Sequence, residues 1–193
     1  MNFKDQAELL KNSNIIDMAL TFSAMMRLFE AGSKGRIAGK IDEHFSRLSD
    51  VENRQHYEAM HRSFCQWFVA EIHTAERMVK NGGLKPGRPA SYGQAAKVLD
   101  IIAKVYICCC GMPSPQVAGR LVFCLHGAVD TPMMKHLMSR YPTSHLKAQT
   151  IAQVDEATHH GLQELVARDI ADEFRDRIVA VQWDDIMWDR LNR

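Results

Sequence analysis

A chain of 193 residues, 46% hydrophobic and 24% charged, has the size of one domain and enough apolar material to bury a core, which excludes an intrinsically disordered chain. Its net charge of +1 gives no bulk attraction to nucleic acid or to a membrane surface. Five cysteines without a Cys-x-x-Cys pair exclude a disulfide framework, and the longest nearly apolar run, Val105 to Gly111, is too short to span a bilayer.

These features point to buried, reduced thiols and a cytoplasmic protein. The polar opening Met1-Asn2-Phe3-Lys4-Asp5 has no apolar signal region.

Apolar residues recur at three- and four-residue spacing almost from end to end, which predicts helix throughout. Asn2 can cap a short first helix carrying Phe3, Ala7 and Leu10, and the polar break Asn12-Ser13-Asn14 separates it from a second that ends near Glu30. Ile37, Ile41, Phe45 and Leu48 mark a third. Ser49-Asp50-Val51-Glu52 has capping-box spacing and opens a long fourth helix through Tyr57, Phe64, Phe68, Ile72, Ala75 and Val79 to a stop at Asn81-Gly82-Gly83.

The segment Leu84 to Ser91, with Pro86, Gly87 and Pro89, reads as a loop. From Tyr92 to Cys110 only Gln94, Lys97, Asp100 and Lys104 interrupt an apolar helix, which places that helix at the centre of a bundle. Gln116 to His126 continues as helix, Asp130-Thr131-Pro132 caps a short one through Arg140, and Leu146 to Val181 reads as one long or broken helix before a last turn from Asp184. The expected architecture is all-α: one domain over 1–193, with a possible subdivision at the 82–91 loop, built as a multi-helix bundle of about seven to nine helices around a buried central helix.

Three motifs carry possible chemistry. Glu58-Ala59-Met60-His61 and Glu156-Ala157-Thr158-His159 resemble the Glu-x-x-His pairs of ferritin-like di-iron proteins. That resemblance implies an iron site of Glu58, His61, Glu156 and His159 completed by carboxylates such as Asp17 and Asp100. Helical geometry turns both glutamates away from the apolar stripes, so a solvated surface is the plainer reading.

Arg120 and His126 resemble the Arg-x4–6-His motif of HEPN-type ribonucleases, in which the imidazole would move a proton and the guanidinium would hold the phosphate. The plainer reading is a helix-end histidine and a surface arginine. Lys85-Pro86-Gly87-Arg88-Pro89 resembles an AT-hook that lacks its first core arginine, leaving Lys85 and Arg88 as a weak nucleic-acid contact. Arginine and histidine are common enough here for such matches to arise by chance.

Eleven methionines and three tryptophans suggest adaptable contact surfaces. Trp183, Met187 and Trp188 on the last helix, and Met133, Met134 and Met138 on a short one, are the expected partner-binding residues. The sequence reading therefore favours a non-enzymatic interaction module, an adaptor or inhibitor resembling in character those carried by phages and mobile elements against host defences. It is expected to form a homodimer and to need no metal or cofactor, with the ribonuclease and then the di-iron bundle as alternatives.

Overall fold

The computed structural model describes residues 3–78 and 82–192. About 70% of the chain is helical, as the periodicity predicts, in eight α-helices among the described residues, with one two-stranded hairpin as the minor sheet.

Helix α1, Phe3–Phe22, runs unbroken through Asn12-Ser13-Asn14, because apolar residues on either side hold it against the core: Ile16 and Leu20 are fully buried. A 3-10 turn over Ala24–Leu28 leads to α2, Ser33–Phe45, whose Ile37, Ile41 and Phe45 form its buried face. Helix α3, Arg54–Glu71, starts later and ends earlier than its periodicity predicts. Asn53 is its cap, accepting the His56 amide at 3.0 Å, and no box forms at Ser49. After Ile72 the chain is extended. Ala75 donates to Leu28 O and accepts no helical neighbour, and β1, Arg77–Met78, pairs antiparallel with β2, Leu84–Lys85. The expected cap Asn2 and the expected helical positions Val79 and Asn81 lie outside the described residues.

Helix α4, Tyr92–Ala103, is the central element. A capping box between Ser91 and Gln94 starts it, and Val98, Leu99 and Ile102 are wholly buried. It continues as a π-helical stretch over Lys104–Cys109, where wider backbone spacing turns Cys108, Cys109 and Cys110 outward; they are exposed, not buried as expected. The N-terminus of α4 lies so close to the 151–154 turn that a Cβ on Gly93 would meet the Val154 side chain at 2.5 Å.

Helix α5, Pro115–Leu121, is short, and His126 follows it on non-helical chain rather than within a helix. Asp130 caps α6, Thr131–Arg140, as its spacing predicts. The expected helix from Leu146 begins only at α7, Glu156–Phe174, capped by Asp155, and α8 spans Ala180–Asn192. One apolar cluster joins α1–α5 on both sides of the 82–91 segment, and a second joins α6, α7 and α8. No described helix is long and apolar enough to cross a membrane.

This packing corrects most of the expected contact surface. Trp183, Met187, Met133 and Met134 are each no more than 2% exposed. Trp183 packs in the second cluster and donates its indole N–H to Asp169 at 2.8 Å, so these four side chains serve the protein's own core. Met138 is half-buried against the same cluster, and Trp188 alone of the six is well exposed.

Candidate metal centre

The polar residues that the central helix carries inward decide the site. Asp100 sits one turn from the end of α4, wholly surrounded by protein, and no lysine or arginine among the described residues answers it. Histidines do. His61 of α3 places Nε2 at 3.0 Å from Asp100 Oδ1; His126 Nδ1 stands at 3.9 Å from the same oxygen, and His159 Nε2 of α7 at 3.9 Å from Oδ2. All four residues are buried, and the four ligand atoms lie within 4.8 Å of one another. The His61 and His159 rings are stacked at 5.1 Å, with His126 edge-on to both.

Two of the ligands are fixed from behind. His61 Nδ1 faces Cys65 Sγ at 3.7 Å, one turn along α3, which leaves Nε2 for the centre. The chain carrying His126 is clamped by Gln163: its amide accepts from Gly127 N at 3.1 Å and donates to Gly127 O at 3.0 Å. One residue on, Ala128 N donates to Asp184, which is itself held by Lys104. The Tyr57 ring packs edge-on against His126. Such outer contacts are what hold metal ligands in orientation.

Electrostatics in the bare cluster follow from burial. For Asp100 burial alone would raise the carboxyl, but the His61 charge and hydrogen bond, with His159 and His126 close by, outweigh it and hold the group well below the usual carboxylate range. Burial likewise works against protonated His61, yet the Cys65 sulfur and Asp100 prevail and raise it to about 10. His126 and His159 are pushed down, first by burial; at His126 the His61 charge adds to it. Without an ion the centre thus holds one carboxylate, one imidazolium and two neutral imidazoles.

Two of those neutral rings present a buried nitrogen with no hydrogen-bond partner, His126 Nδ1 and His159 Nε2, and both aim at the Asp100 carboxylate. An unanswered buried polar atom costs about 1–3 kcal/mol, so two in one place call for something to fill them. A divalent ion does so. Ligands about 2.0–2.2 Å from a tetrahedral ion stand roughly 3.4 Å apart, so the observed separations of 3.0–4.8 Å close around one ion with small shifts. Three imidazoles and a carboxylate suit zinc and its first-row neighbours better than magnesium or calcium.

The centre also has an open side. His61, His126 and His159 line a cavity of about 260 Å³ that reaches solvent between α3 and α7. Glu58 and Glu156, one turn before His61 and His159, stand on its wall, tied to Arg54 at 3.0 Å and Arg62 at 2.7 Å.

The three sequence motifs are thereby redistributed. His61 and His159 do converge, as the di-iron pattern requires, but with Asp100 and His126 in place of Glu58 and Glu156. Those glutamates are engaged by arginines at the pocket mouth, so the donors gather about a single ion rather than two. Arg120 does not join His126 within the chain: it is exposed and donates to Ser49 O at 3.1 Å, outside the pocket that His126 lines. Lys85 and Arg88 are exposed on the hairpin side of the molecule. A scan of protein-family models finds no match to this chain, and neither does a search of curated proteins or of solved structures, so the reading of the centre rests on its own geometry.

Proposed function

We propose that the protein is a metal-dependent enzyme of hydrolytic type, with one divalent first-row ion held by His61, Asp100, His126 and His159. The observation that carries this reading is the convergence of four buried ligand atoms, two of them otherwise without a partner, on the wall of a solvent-reached cavity. Four protein ligands fill a tetrahedron, so catalysis requires the ion to expand to five ligands, with water or substrate taken on the side of the cavity. On the open side the ion would lower the pKa of a bound water to about 7 and polarise a carbonyl or phosphoryl oxygen beside it. Glu58 and Glu156 are placed to accept the proton that water releases. That water oxygen would bond to the electrophilic carbon or phosphorus as the scissile bond broke, the proton passing from the glutamate to the leaving group.

Stripping the purified protein with a chelator and restoring zinc, cobalt, manganese, nickel or iron one at a time tests this. One equivalent of at least one ion should bind and raise the melting temperature, and hydrolysis across a panel of chromogenic esters, amides and phosphoesters should return with it. Affinity should fall in acid, because protons compete for the same nitrogens. Failure of all five ions to bind would end the metal reading, and binding without turnover would end the hydrolytic one.

A second reading, a partner-protein surface, is favoured by one specific feature. Phe22 is 85% exposed and Trp188 59% exposed, on the lips of a largely apolar groove of about 560 Å³ that also includes Met18, Met25 and Val105. Exposed aromatics grouped in this way are characteristic of interface anchors. Trp188→Ala should therefore leave the helical spectrum unchanged and weaken self-association or partner capture by about tenfold or more; light scattering and affinity measurement check it, and unchanged association removes this surface.

A further inference from the structure

A cluster of cations without carboxylate partners lies away from the metal centre, in a groove of about 480 Å³ between the 3-10 turn after α1, the β1–β2 hairpin and the 150–152 turn. Arg27, Arg77, Lys85 and Arg88 all line it and all are exposed. None has a carboxylate partner among the described residues, and Glu76 is the single acid on the wall. Six other arginines, Arg36, Arg54, Arg62, Arg140, Arg168 and Arg190, each contact a carboxylate. Exposed cations such as Arg175 and Arg177 also occur elsewhere, but here four share one concavity, where they reinforce one another.

The groove is also built to hold its shape. Thr74 N donates to Arg88 O at 2.8 Å, and the Thr74 hydroxyl accepts from Arg88 N at 3.1 Å, so the backbone that carries Arg88 is pinned to the strand before the hairpin. Gly87 is the residue this requires, because a Cβ there would strike Thr74 O at 2.3 Å. Pro86 and Pro89 stiffen either side. The groove sets these cations beside apolar Leu28, Ala75 and Ile151.

We infer that this groove binds the phosphodiester backbone of a single nucleic-acid strand, the four cations meeting phosphates while bases or sugars lie on the apolar floor. Regularly spaced negative charge is what a row of unpaired cations selects, and counterion release gives such a contact its affinity. A flat membrane cannot enter a concavity. The inference stands apart from the ion, since none of these residues touches the metal centre.

Fluorescence anisotropy with labelled twenty-residue oligo-dT and oligo-U, on protein with and without zinc, tests it. Binding should appear at low salt, and with four phosphates neutralised the logarithm of the association constant should fall with that of salt with a slope of about −3. Arg77→Glu with Arg88→Glu, both at exposed positions, should cut affinity at least tenfold and flatten the slope, with the melting temperature unchanged. Arg175→Glu with Arg177→Glu should not. Absence of binding, an unaffected double variant, or tighter binding of polyglutamate or of a duplex of the same length would overturn the inference. Equal binding with and without zinc supports it whatever becomes of the metal reading, and binding found only with zinc would overturn it.

Discussion

Asp100→Asn should abolish stoichiometric ion binding. The carboxylate is the single anionic donor of the four and the one that faces all three histidines. It also answers the His61 imidazolium in the ion-free protein, and taking one partner from a buried charged pair costs about 3–5 kcal/mol. The variant should therefore melt earlier as well as lose the ion, and a collapse of the fold would leave the two effects entangled. His159→Ala separates them. It lies on the cavity wall at 7% exposure, and its own pKa is pushed down by burial, so its removal takes away a neutral ligand and no charge partner. Loss of an outer-shell contact alone lowers metal affinity by about 10–100-fold, and loss of a direct ligand should exceed the upper end of that range. Competition against a chromophoric chelator measures it, and parental affinity in both variants would contradict the centre.

Trp183→Ala should be the most damaging substitution in the second apolar cluster. The side chain is fully buried between α6, α7 and α8, and its N–H is one of several donors that satisfy Asp169, with Tyr141 OH at 3.1 Å and Arg140 Nε at 3.0 Å. Truncating a core tryptophan costs about 3–5 kcal/mol, and here a buried carboxylate would also lose a partner. For a chain of this length that should lower the melting temperature by roughly 10 °C or more. Trp188→Ala, five residues on, should cost well under 1 kcal/mol. Equal stability of the two variants by thermal denaturation would show that Trp183 is not a core residue.

The contrast between these two tryptophans shows what was legible. Spacing marks α8 as a helix with one apolar face, but the helix phase alone does not say which of Trp183, Met187 and Trp188 meets the bundle. The central helix was legible because an apolar surface all round has few destinations: of the four residues expected to be buried, Leu99, Ile102 and Tyr106 are, while Val105 is half-buried on the wall of the apolar groove. The end of α3 was not. Ile72 and Ala75 continue a helical period while the chain is in fact extended, because pairing with Leu28 and with the 88–90 segment outcompetes the helix, and neither partner is local.

The centre was half legible for the same reason. The di-iron resemblance did bring His61, His159 and Asp100 together, but with Glu58, Glu156 and Asp17 as fellow ligands and a solvated surface as the plainer reading, while His126 was sorted with Arg120. Helical spacing speaks only to residues one or two turns apart. The four ligands come from four separate segments, and it is the crossing of α3, α4 and α7, with the Gln163 clamp on the His126 chain, that brings them together. The one available signal was Asp100, a carboxylate on a helix otherwise apolar all round, which burial obliges to find cationic or metal company.

The most direct measurement is anomalous diffraction at the zinc edge from crystals of the zinc-loaded protein. The account predicts one strong peak, within about 2.0–2.2 Å of His61 Nε2, Asp100, His126 Nδ1 and His159 Nε2, with a remaining position open to the cavity between α3 and α7. A peak bound elsewhere, or no peak with His126 Nδ1 and His159 Nε2 still facing the Asp100 carboxylate, would contradict it.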